Sequence, residues 1–272
     1  MNPGLAIYPL LGLAAALGSL FFVIFPTTAL VAFIGYSSGI QLDENNLSLG
    51  VQIAGYVYLA LCLLFLQIVA VFSASAFFLA ADAALKGESI TVGKAYNLAW
   101  RKRTRIMQYA VVGVVVNLVL SQISERLGVF GKVIGLVGNV AWALMTIFAI
   151  PILVSRDIGP IDAVKQSIAL FKKTWGENVV GGASIALVSM PFVLLIVAVA
   201  VAFGFMFAAG SIGLAVLIPV EIVMLLALFA VVAYFQCLTT IFNAALYRYA
   251  DTGDYVGPFS HEMLAGAYQP KR

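Results

Sequence analysis

The chain has 272 residues, of which 63% are hydrophobic and 10% are charged, and its formal net charge is +3. Soluble domains carry roughly 25% charged residues, so this composition excludes an ordinary water-soluble globule. A mean hydropathy of +1.06 favours a protein that folds in lipid. Long windows without Asp, Glu, Lys or Arg recur, and each approaches the roughly 20 residues that a spanning helix needs. Because these runs are continuous rather than alternating in polarity, they predict helices and exclude a transmembrane barrel.

The charge-free windows predict an all-α, polytopic membrane helix bundle with about six transmembrane helices. The break between the last two rests on glycines and a proline alone, at Gly204, Gly210, Gly213 and Pro219. Prolines within the spans remove a helix hydrogen bond and mark candidate kinks at Pro26, Pro151, Pro191 and Pro219. Residues 251–272 form a cytoplasmic tail. The predicted spans lie near 6–34, 50–82, 106–123, 130–154, 179–207 and 214–247.

The positive charges are distributed unevenly between the two sides of the predicted bundle. Arg126 and Lys132 lie on one side, and the other thirteen of the 15 Lys and Arg residues lie on the opposite side. Lys and Arg in short loops mark the cytoplasmic side of a membrane. We therefore expect a multi-pass protein of the inner or plasma membrane whose N- and C-termini are both cytoplasmic.

Two cytoplasmic segments, 90–105 and 161–176, have the pattern of amphipathic helices. The second segment reads IDAVKQSIALFKKTWG, and the steps between its apolar residues predict one helix face made of Ile161, Val164, Ile168, Phe171 and Trp175. The first reads ITVGKAYNLAWRKRTR, and its apolar face holds Val92, Tyr96, Ala99 and Trp100. Helices of this kind lie in the membrane interface with the apolar face on lipid.

The basic and aromatic ends of these two segments are candidate contact sites for lipid headgroups or a partner protein. A Lys or Arg near an anionic cytoplasmic leaflet contributes about 1 kcal/mol to binding. The predicted contact residues are Trp100, Arg101, Lys102, Arg103, Arg105, Lys172, Lys173 and Trp175. The alternative is that both segments are ordinary juxtamembrane anchors that follow the positive-inside rule.

The two amphipathic segments also indicate an internal repeat. Lys94 aligns with Lys165 and Trp100 with Phe171, both at an offset of 71 residues. The repeated unit is one amphipathic helix followed by two spanning helices, and three such units would account for six spans. The first unit has no amphipathic helix before its first span, so we expect the coding sequence to continue upstream of Met1.

Few polar residues lie within the predicted spans. Glu221 is the main candidate for an intramembrane site, because a carboxylate in a span is costly and often functional. The alternative is that Glu221 lies in the outer headgroup zone. Asn117 and Asn139 are further candidates for a polar intramembrane site, or else they form hydrogen bonds between helices.

Gly131, Gly135 and Gly138 fall near one face of the fourth predicted span. Small residues at this spacing permit a close approach between helix backbones. The pattern does not separate contacts within one chain from contacts in a homo-oligomer.

The sequence offers little for catalysis. The one histidine, His261, lies in the tail, and Cys62 and Cys237 lie inside apolar segments without metal-ligand spacing. A serine nucleophile in a span would need a base, and the predicted spans hold no His and a single Lys, Lys132, near the start of the fourth span. We therefore expect no enzyme activity, catalytic residue, metal site or cofactor, and no nucleic-acid partner.

Two stretches of the chain carry a resemblance. Residues 151–182 read PILVSRDIGPIDAVKQSIALFKKTWGENVVGG, and 241–253 read IFNAALYRYADTG. Both resemble an uncharacterised family of prokaryotic six-pass integral membrane proteins, whose members share a proline-ended fourth span, the amphipathic segment and an Ala-Ala-Leu-Tyr ending of the last span. The resemblance covers most of the chain and departs from the family at the N-terminus. It implies no functional residue, because the family has no assigned activity.

These observations leave two functional hypotheses. The first is a non-enzymatic protein that organises membrane lipid or partner proteins through its basic amphipathic helices. The second is a small-solute transporter or channel, which would form a homo-oligomer or act alone. A transporter needs several polar residues along a path through the membrane, and the scarcity of such residues favours the first hypothesis.

Overall fold

The computed structural model describes residues 5, 7–12, 14–15, 18, 49–156, 158–173 and 175–252, with the backbone alone at 49–52, 54, 129 and 175–184. Within these residues the chain is helical apart from short turns and forms no β-strand, which confirms the predicted all-α class. The segment 7–12 is helical. Eight longer helices follow over the described ranges: α1 (Leu49–Leu85), α2 (Val92–Arg101), α3 (Arg103–Arg126), α4 (Gly128–Met145), α5 (Ala149–Ser155), α6 (Pro160–Lys173), α7 (Trp175–Ala208) and α8 (Leu214–Thr252).

Five helical stretches of the described chain are long and apolar enough to cross a membrane. They overlap the predicted spans from the second onwards, and the protein is therefore a membrane-embedded helical bundle. Most of the predicted first span, 6–34, and the tail beyond Thr252 lie outside the described residues. The five stretches are Gly55–Leu85, Arg103–Arg126, Phe130–Ser155, Ile185–Ala208 and Leu214–Thr252.

The fourth predicted span is divided into α4 and α5. Pro151 has no backbone N–H, and its ring crowds the carbonyl four residues earlier. The α-helix accordingly ends at Met145, and residues 146–148 form a turn before α5 begins at Ala149. Pro191 and Pro219 lie inside α7 and α8, which continue through them. Pro26 lies outside the described residues.

Helices α3 and α4 form a close hairpin. Leu127 alone separates them, and Gly128 has φ 58°, a conformation that glycine adopts without steric cost. A Cβ added at Gly135 would lie 2.9 Å from Ser124 Cβ, and one at Gly138 would lie 2.6 Å from Leu120 Cδ2. The glycine face of the fourth span therefore packs against α3 of the same chain.

Helices α7 and α8 are joined by a Schellman turn. The Ser211 N–H donates to Met206 O at 2.9 Å, the Gly210 N–H donates to Phe207 O at 2.9 Å, and Gly210 has φ 71°. This pair of bonds satisfies carbonyls at a helix end and needs a left-handed residue. The turn lies where the sequence predicted the break between the last two spans.

The buried core lies at one end of the bundle, where α2 and α6 are located. It is formed by the last turns of α1 and α8, the first turns of α3, the short helix α5, and one face each of α2 and α6. The largest fully buried side chains are Phe148, Ile106, Ile152, Leu153 and Leu246. Along α7 and the first half of α8, large apolar side chains are exposed, as expected of surfaces that face lipid.

Candidate functional site

Helix α2 runs back along the end of α1. Its N-terminus is capped by Thr91, whose Oγ1 accepts a hydrogen bond from the Lys94 N–H at 3.3 Å. Ala95 and Ala99 are fully buried, and Val92 and Tyr96 pack beside them on the core. The predicted apolar face of this segment is therefore present, but it packs on protein rather than remaining open to lipid. Ala95 was not part of the predicted face, and its small side chain permits the close approach to α1.

Trp100 ends the apolar face of α2 and is still 58% exposed. Its ring meets the edge of Phe72 on α1 with centroids 5.8 Å apart, and the Arg103 guanidinium lies 5.6 Å from the Trp100 ring centroid. A cation at this distance from an indole is attracted to the ring. Trp100 and Arg103 thus form one amphipathic group at the junction of α2 and α3, at the level of Phe72.

The length of α3 suits one crossing of a membrane. This helix starts at Arg103 and ends at Arg126, and its 24 residues span about 36 Å at 1.5 Å per residue. A hydrocarbon core is about 30 Å thick, so both arginines can reach opposite headgroup layers. Because Trp100 contacts Phe72, the 13 residues of α1 from there to Leu85 extend about 20 Å further. Much of the packed core, including Phe77, Ala80 and Ala81 of α1, therefore lies beyond the level of Trp100.

The basic residues of the α2–α3 junction differ in exposure. Arg101 and Arg103 are exposed, whereas Lys102 and Arg105 are partly buried and make further contacts. Lys102 forms the break between the two helices, and its N–H bonds to Ala99 O at 2.9 Å. The exposed guanidinium groups at this junction are consequently those of Arg101 and Arg103.

Helix α6 buries a face that overlaps the predicted one only in part. Ile161, the first residue of the predicted stripe, is 61% exposed, whereas Ala163 and Ser167 are fully buried. Ser167 Oγ accepts a hydrogen bond from the Phe148 N–H at 3.1 Å. The break before α5 leaves this N–H at a helix N-terminus, where the first N–H groups have no partner within the helix. Val164 and Phe171 from the predicted stripe do pack on the core.

The basic end of α6 has two different lysines. Lys172 is exposed, whereas Lys173 Nζ donates a hydrogen bond to the Ala250 carbonyl near the end of α8, at 3.0 Å. Lys173 therefore connects α6 to α8 within the chain. The side chain of Trp175 lies outside the described residues. We call α2, α6 and the basic residues 101–105 and 172–173 the junction layer.

A group of charged side chains connects the ends of the helices beside the junction layer. Asp82 on α1 lies 2.6 Å from Lys86 Nζ and 3.7 Å from Arg248 Nη1 of α8. Arg156, after α5, donates to Gln166 of α6 and pairs with Asp251 of α8. Sequence patterns did not predict these pairings, because 95 positions separate Arg156 from Asp251. The only available signal was the position of Asp82 and Arg248 at the ends of long apolar runs.

The three polar residues predicted within spans are not brought together. Asn117 on α3 and Asn139 on α4 are exposed, and Glu221 near the start of α8 is partly exposed. None of the three lines the cleft beside Tyr8 or the cleft between α7 and α8. Gln67, another amide in a span, faces Gly113, because a Cβ there would lie 3.0 Å from Gln67 Nε2.

Residues 53–257 match the Family of unknown function (DUF6159). No curated protein and no solved structure matches the chain. The match covers every described helix from the second turn of α1 to the end of α8. Because it extends over most of the sequence, the chain belongs to the Family of unknown function (DUF6159).

Proposed function

We propose that the protein is a non-enzymatic organiser of the membrane, which binds the anionic headgroups of the cytoplasmic leaflet through its junction layer. The spanning helices fix the depth of the protein in the membrane, and the buried core at one end of the bundle holds the junction layer at the membrane surface. The basic side chains that remain exposed there attract and retain anionic lipid. The orientation rests on the excess of Lys and Arg at this end of the bundle.

One observation carries this proposal, namely the division of α2 into a buried face and an exposed basic end. Because Ala95 and Ala99 are fully buried against the core, α2 cannot turn without losing that packing. Its position fixes Trp100, Arg101 and Arg103 at the start of a spanning helix. A tryptophan beside arginines is the side-chain combination found at membrane interfaces.

Helix α6 supports the proposal by belonging to the same core. Ala163 is part of the continuous buried cluster that contains Ala95 and Ala99. Both helices are also separated from the following spanning helix by a single residue. Lys172 at the end of α6 therefore adds a cation to the same side of the bundle, and the two basic ends bind headgroups independently of each other.

The competing transporter hypothesis receives less support. The cleft between α7 and α8 is lined mainly by apolar residues such as Val193, Val232 and Phe235, with Ser189, Gln236 and Thr239 as its polar groups. The rings of Phe78 on α1 and Tyr247 on α8 are in contact, with centroids 5.8 Å apart, so these two residues lie at a similar depth in the bundle. Glu221 is 26 residues before Tyr247, about 39 Å along the helix. That distance favours the outer headgroup zone for Glu221.

Lipid retention tests the proposal. The full-length protein would be placed in nanodiscs that contain phosphatidylglycerol and phosphatidylcholine, extracted gently, and analysed for bound lipid by native mass spectrometry. Replacing Arg101 and Arg103 together by Gln removes two cations, each worth about 1 kcal/mol near an anionic surface. We expect the retained phosphatidylglycerol to fall at least fivefold.

The matched control is the double variant Arg126→Gln with Lys132→Gln, which removes two exposed cations at the opposite end of the α3–α4 hairpin. It should leave the retained phosphatidylglycerol within twofold of the wild type. Equal losses in the two double variants would contradict a specific role for the junction layer and leave ordinary anchoring as the explanation.

A further inference from the structure

Two clefts meet at Tyr8, and the exposed basic residues of the junction layer line neither of them. The first, with a volume of ≈ 260 Å³, lies between the segment 7–12, α1 and α8, and is lined by residues that include Gly12, Ala70, Ser73 and Ala233. The second, with a volume of ≈ 400 Å³, lies beside the turn between α1 and α2 and is lined by residues that include Glu88, Ser89 and Thr91. Binding sites for small molecules have volumes of about 300–1,000 Å³.

Tyr8 lines both clefts. Its side chain is only 3% exposed, and its ring stacks on Phe77 with centroids 5.6 Å apart. The Tyr8 hydroxyl is buried and has no hydrogen-bond partner among the described residues. A buried hydroxyl without a partner costs about 1–3 kcal/mol, so the position strongly favours a ligand oxygen that can accept its hydrogen bond.

The two clefts differ in polarity along the direction of α1. Phe77 is five residues beyond Phe72, so Tyr8 lies about 7 Å outside the level of Trp100. From Tyr8 the first cleft leads past Ser73 to Ala70, towards the hydrocarbon, and its lining is mostly apolar. The second leads away from the membrane towards the carboxylate of Glu88. An apolar cleft, a hydrogen-bond donor and a carboxylate therefore follow one another in order of increasing distance from the hydrocarbon.

We propose that these clefts bind one molecule of a zwitterionic phospholipid that has a primary ammonium headgroup. An acyl chain occupies the apolar cleft beside Gly12, an ester or phosphate oxygen accepts the hydrogen bond of Tyr8, and the ammonium group faces Glu88. The exposed cations at the junction layer favour anionic lipid, whereas Glu88 disfavours it. This second site is therefore separate from the proposed function in both position and headgroup preference.

Photo-cross-linking tests the proposal on the full-length protein in nanodiscs. The probe is phosphatidylethanolamine with a diazirine in the middle of one acyl chain, and the cross-linked peptides are identified by mass spectrometry. We expect cross-links concentrated at 9–12, 70–77 and 232–236. Tyr8→Phe should lower them about fivefold, the factor that corresponds to one net hydrogen bond. The matched control Tyr56→Phe removes a hydroxyl from a residue that is 73% exposed on α1 and should change nothing.

A second variant fills the cleft. A Cβ at Gly12 would lie 3.5 Å from Ser73 Cβ, an ordinary contact, so Gly12→Leu fits the backbone and places its remaining atoms in the cleft. It should abolish the cross-links, whereas Gly55→Leu, where nothing lies within 4 Å, should not. Cross-links spread evenly over the lipid-facing surface, or unchanged in both cleft variants, would overturn the site. The site would also be overturned if the cleft were found to be occupied by another residue of this chain instead of lipid.

The headgroup preference is read from the same experiment with a phosphatidylglycerol probe. The wild type should give several-fold more cleft cross-links with phosphatidylethanolamine, and Glu88→Gln should bring the ratio close to one. Equal labelling by the two probes in the wild type would refute the role of Glu88. The double variant of Arg101 and Arg103 should leave all of these results unchanged, which separates this site from the junction layer.

Discussion

Helices α2 and α6 both lead into a spanning helix, yet their buried faces agree with the predicted apolar faces to different degrees. Each follows a span and leads directly into the next one. In α2 one of the two fully buried residues, Ala99, belongs to the face that apolar periodicity predicts, and the other, Ala95, lies beside it. In α6 the buried line is Ala163 and Ser167, while Ile161, the first residue of the predicted stripe, is 61% exposed.

The difference follows from what each helix packs against. Helix α2 lies along α1, which is an uninterrupted helix, so only shape and apolar area select its face. Helix α6 packs against α5, which begins after a break and offers the N–H of Phe148. Because a buried N–H needs an acceptor, Ser167 turns towards it, and the larger Ile161 is left outside. A partner's unsatisfied backbone can therefore override an apolar stripe.

Overpacking the buried line of α6 should have the largest effect on stability. Ala163→Leu inserts three carbons into a fully buried position and should lower the free energy of unfolding by about 3 kcal/mol. Ala169→Leu, at an exposed position of the same helix, is the control and should change it by less than about 0.5 kcal/mol. The measurement is reversible unfolding of both variants in detergent micelles. Equal effects would mean that α6 does not bury this face.

Removing the acceptor for Phe148 should have the next largest effect. Ser167→Ala leaves the Phe148 N–H buried without a partner, and we expect a loss of about 2 kcal/mol in the free energy of unfolding. Ser189→Ala removes an exposed hydroxyl that bonds only within its own helix, and it should be nearly neutral. If Ser167→Ala were as mild as Ser189→Ala, the hydrogen bond would not explain the orientation of α6.

Loss of the cap of α2 should have a moderate effect. Thr91→Ala removes the side-chain acceptor for the Lys94 N–H and should cost about 1 kcal/mol, with recovery in Thr91→Ser. Hydrogen exchange of the backbone amides in the first turn of α2 should accordingly be faster in Thr91→Ala than in Thr91→Ser. A Thr91→Ser variant that behaves like Thr91→Ala would argue that the methyl group, rather than the hydroxyl, stabilises this turn.

The smallest effect is expected at Ile161, the first residue of the predicted apolar stripe of α6. Ile161 is 61% exposed, so Ile161→Ala should change the free energy of unfolding by less than about 0.5 kcal/mol. Thermal unfolding of this variant beside Ala163→Leu gives the comparison directly. A loss above about 2 kcal/mol, typical of a buried isoleucine, would restore the originally predicted face.

Much of the fold follows from the sequence because lipid constrains it strongly. Charge-free runs predict the spans, and Gly210 marks the turn between α7 and α8, since a left-handed residue is needed there. The faces of α2 and α6 were harder to predict, because alanine and serine contribute little to an apolar pattern. The glycines of α4 were ambiguous until the close approach of Gly135 to Ser124 placed their contact within the chain.

The candidate site was predictable in part. The basic residues at the junctions were found from charge alone, but the hydrogen bond of Lys173 within the chain depends on the position of Ala250, 77 residues later. The pairing of Arg156 with Asp251 and the two clefts at Tyr8 also depend on how distant helix ends meet. Such contacts leave no periodic signal in a single sequence.

The depth of the junction layer tests the central claim most directly. Spin labels at Arg101→Cys and Lys172→Cys would be introduced in turn into a variant with Cys62 and Cys237 replaced by Ala, in nanodiscs with anionic lipid. Power saturation with oxygen and a water-soluble nickel chelate then gives the depth of each label. The account predicts that both labels lie in the headgroup layer of the same leaflet and that a label at Lys132 lies in the opposite one. The account would be contradicted if a label at 101 or 172 lay in the hydrocarbon. It would also be contradicted if such a label were as accessible to the nickel chelate as it is in the absence of lipid.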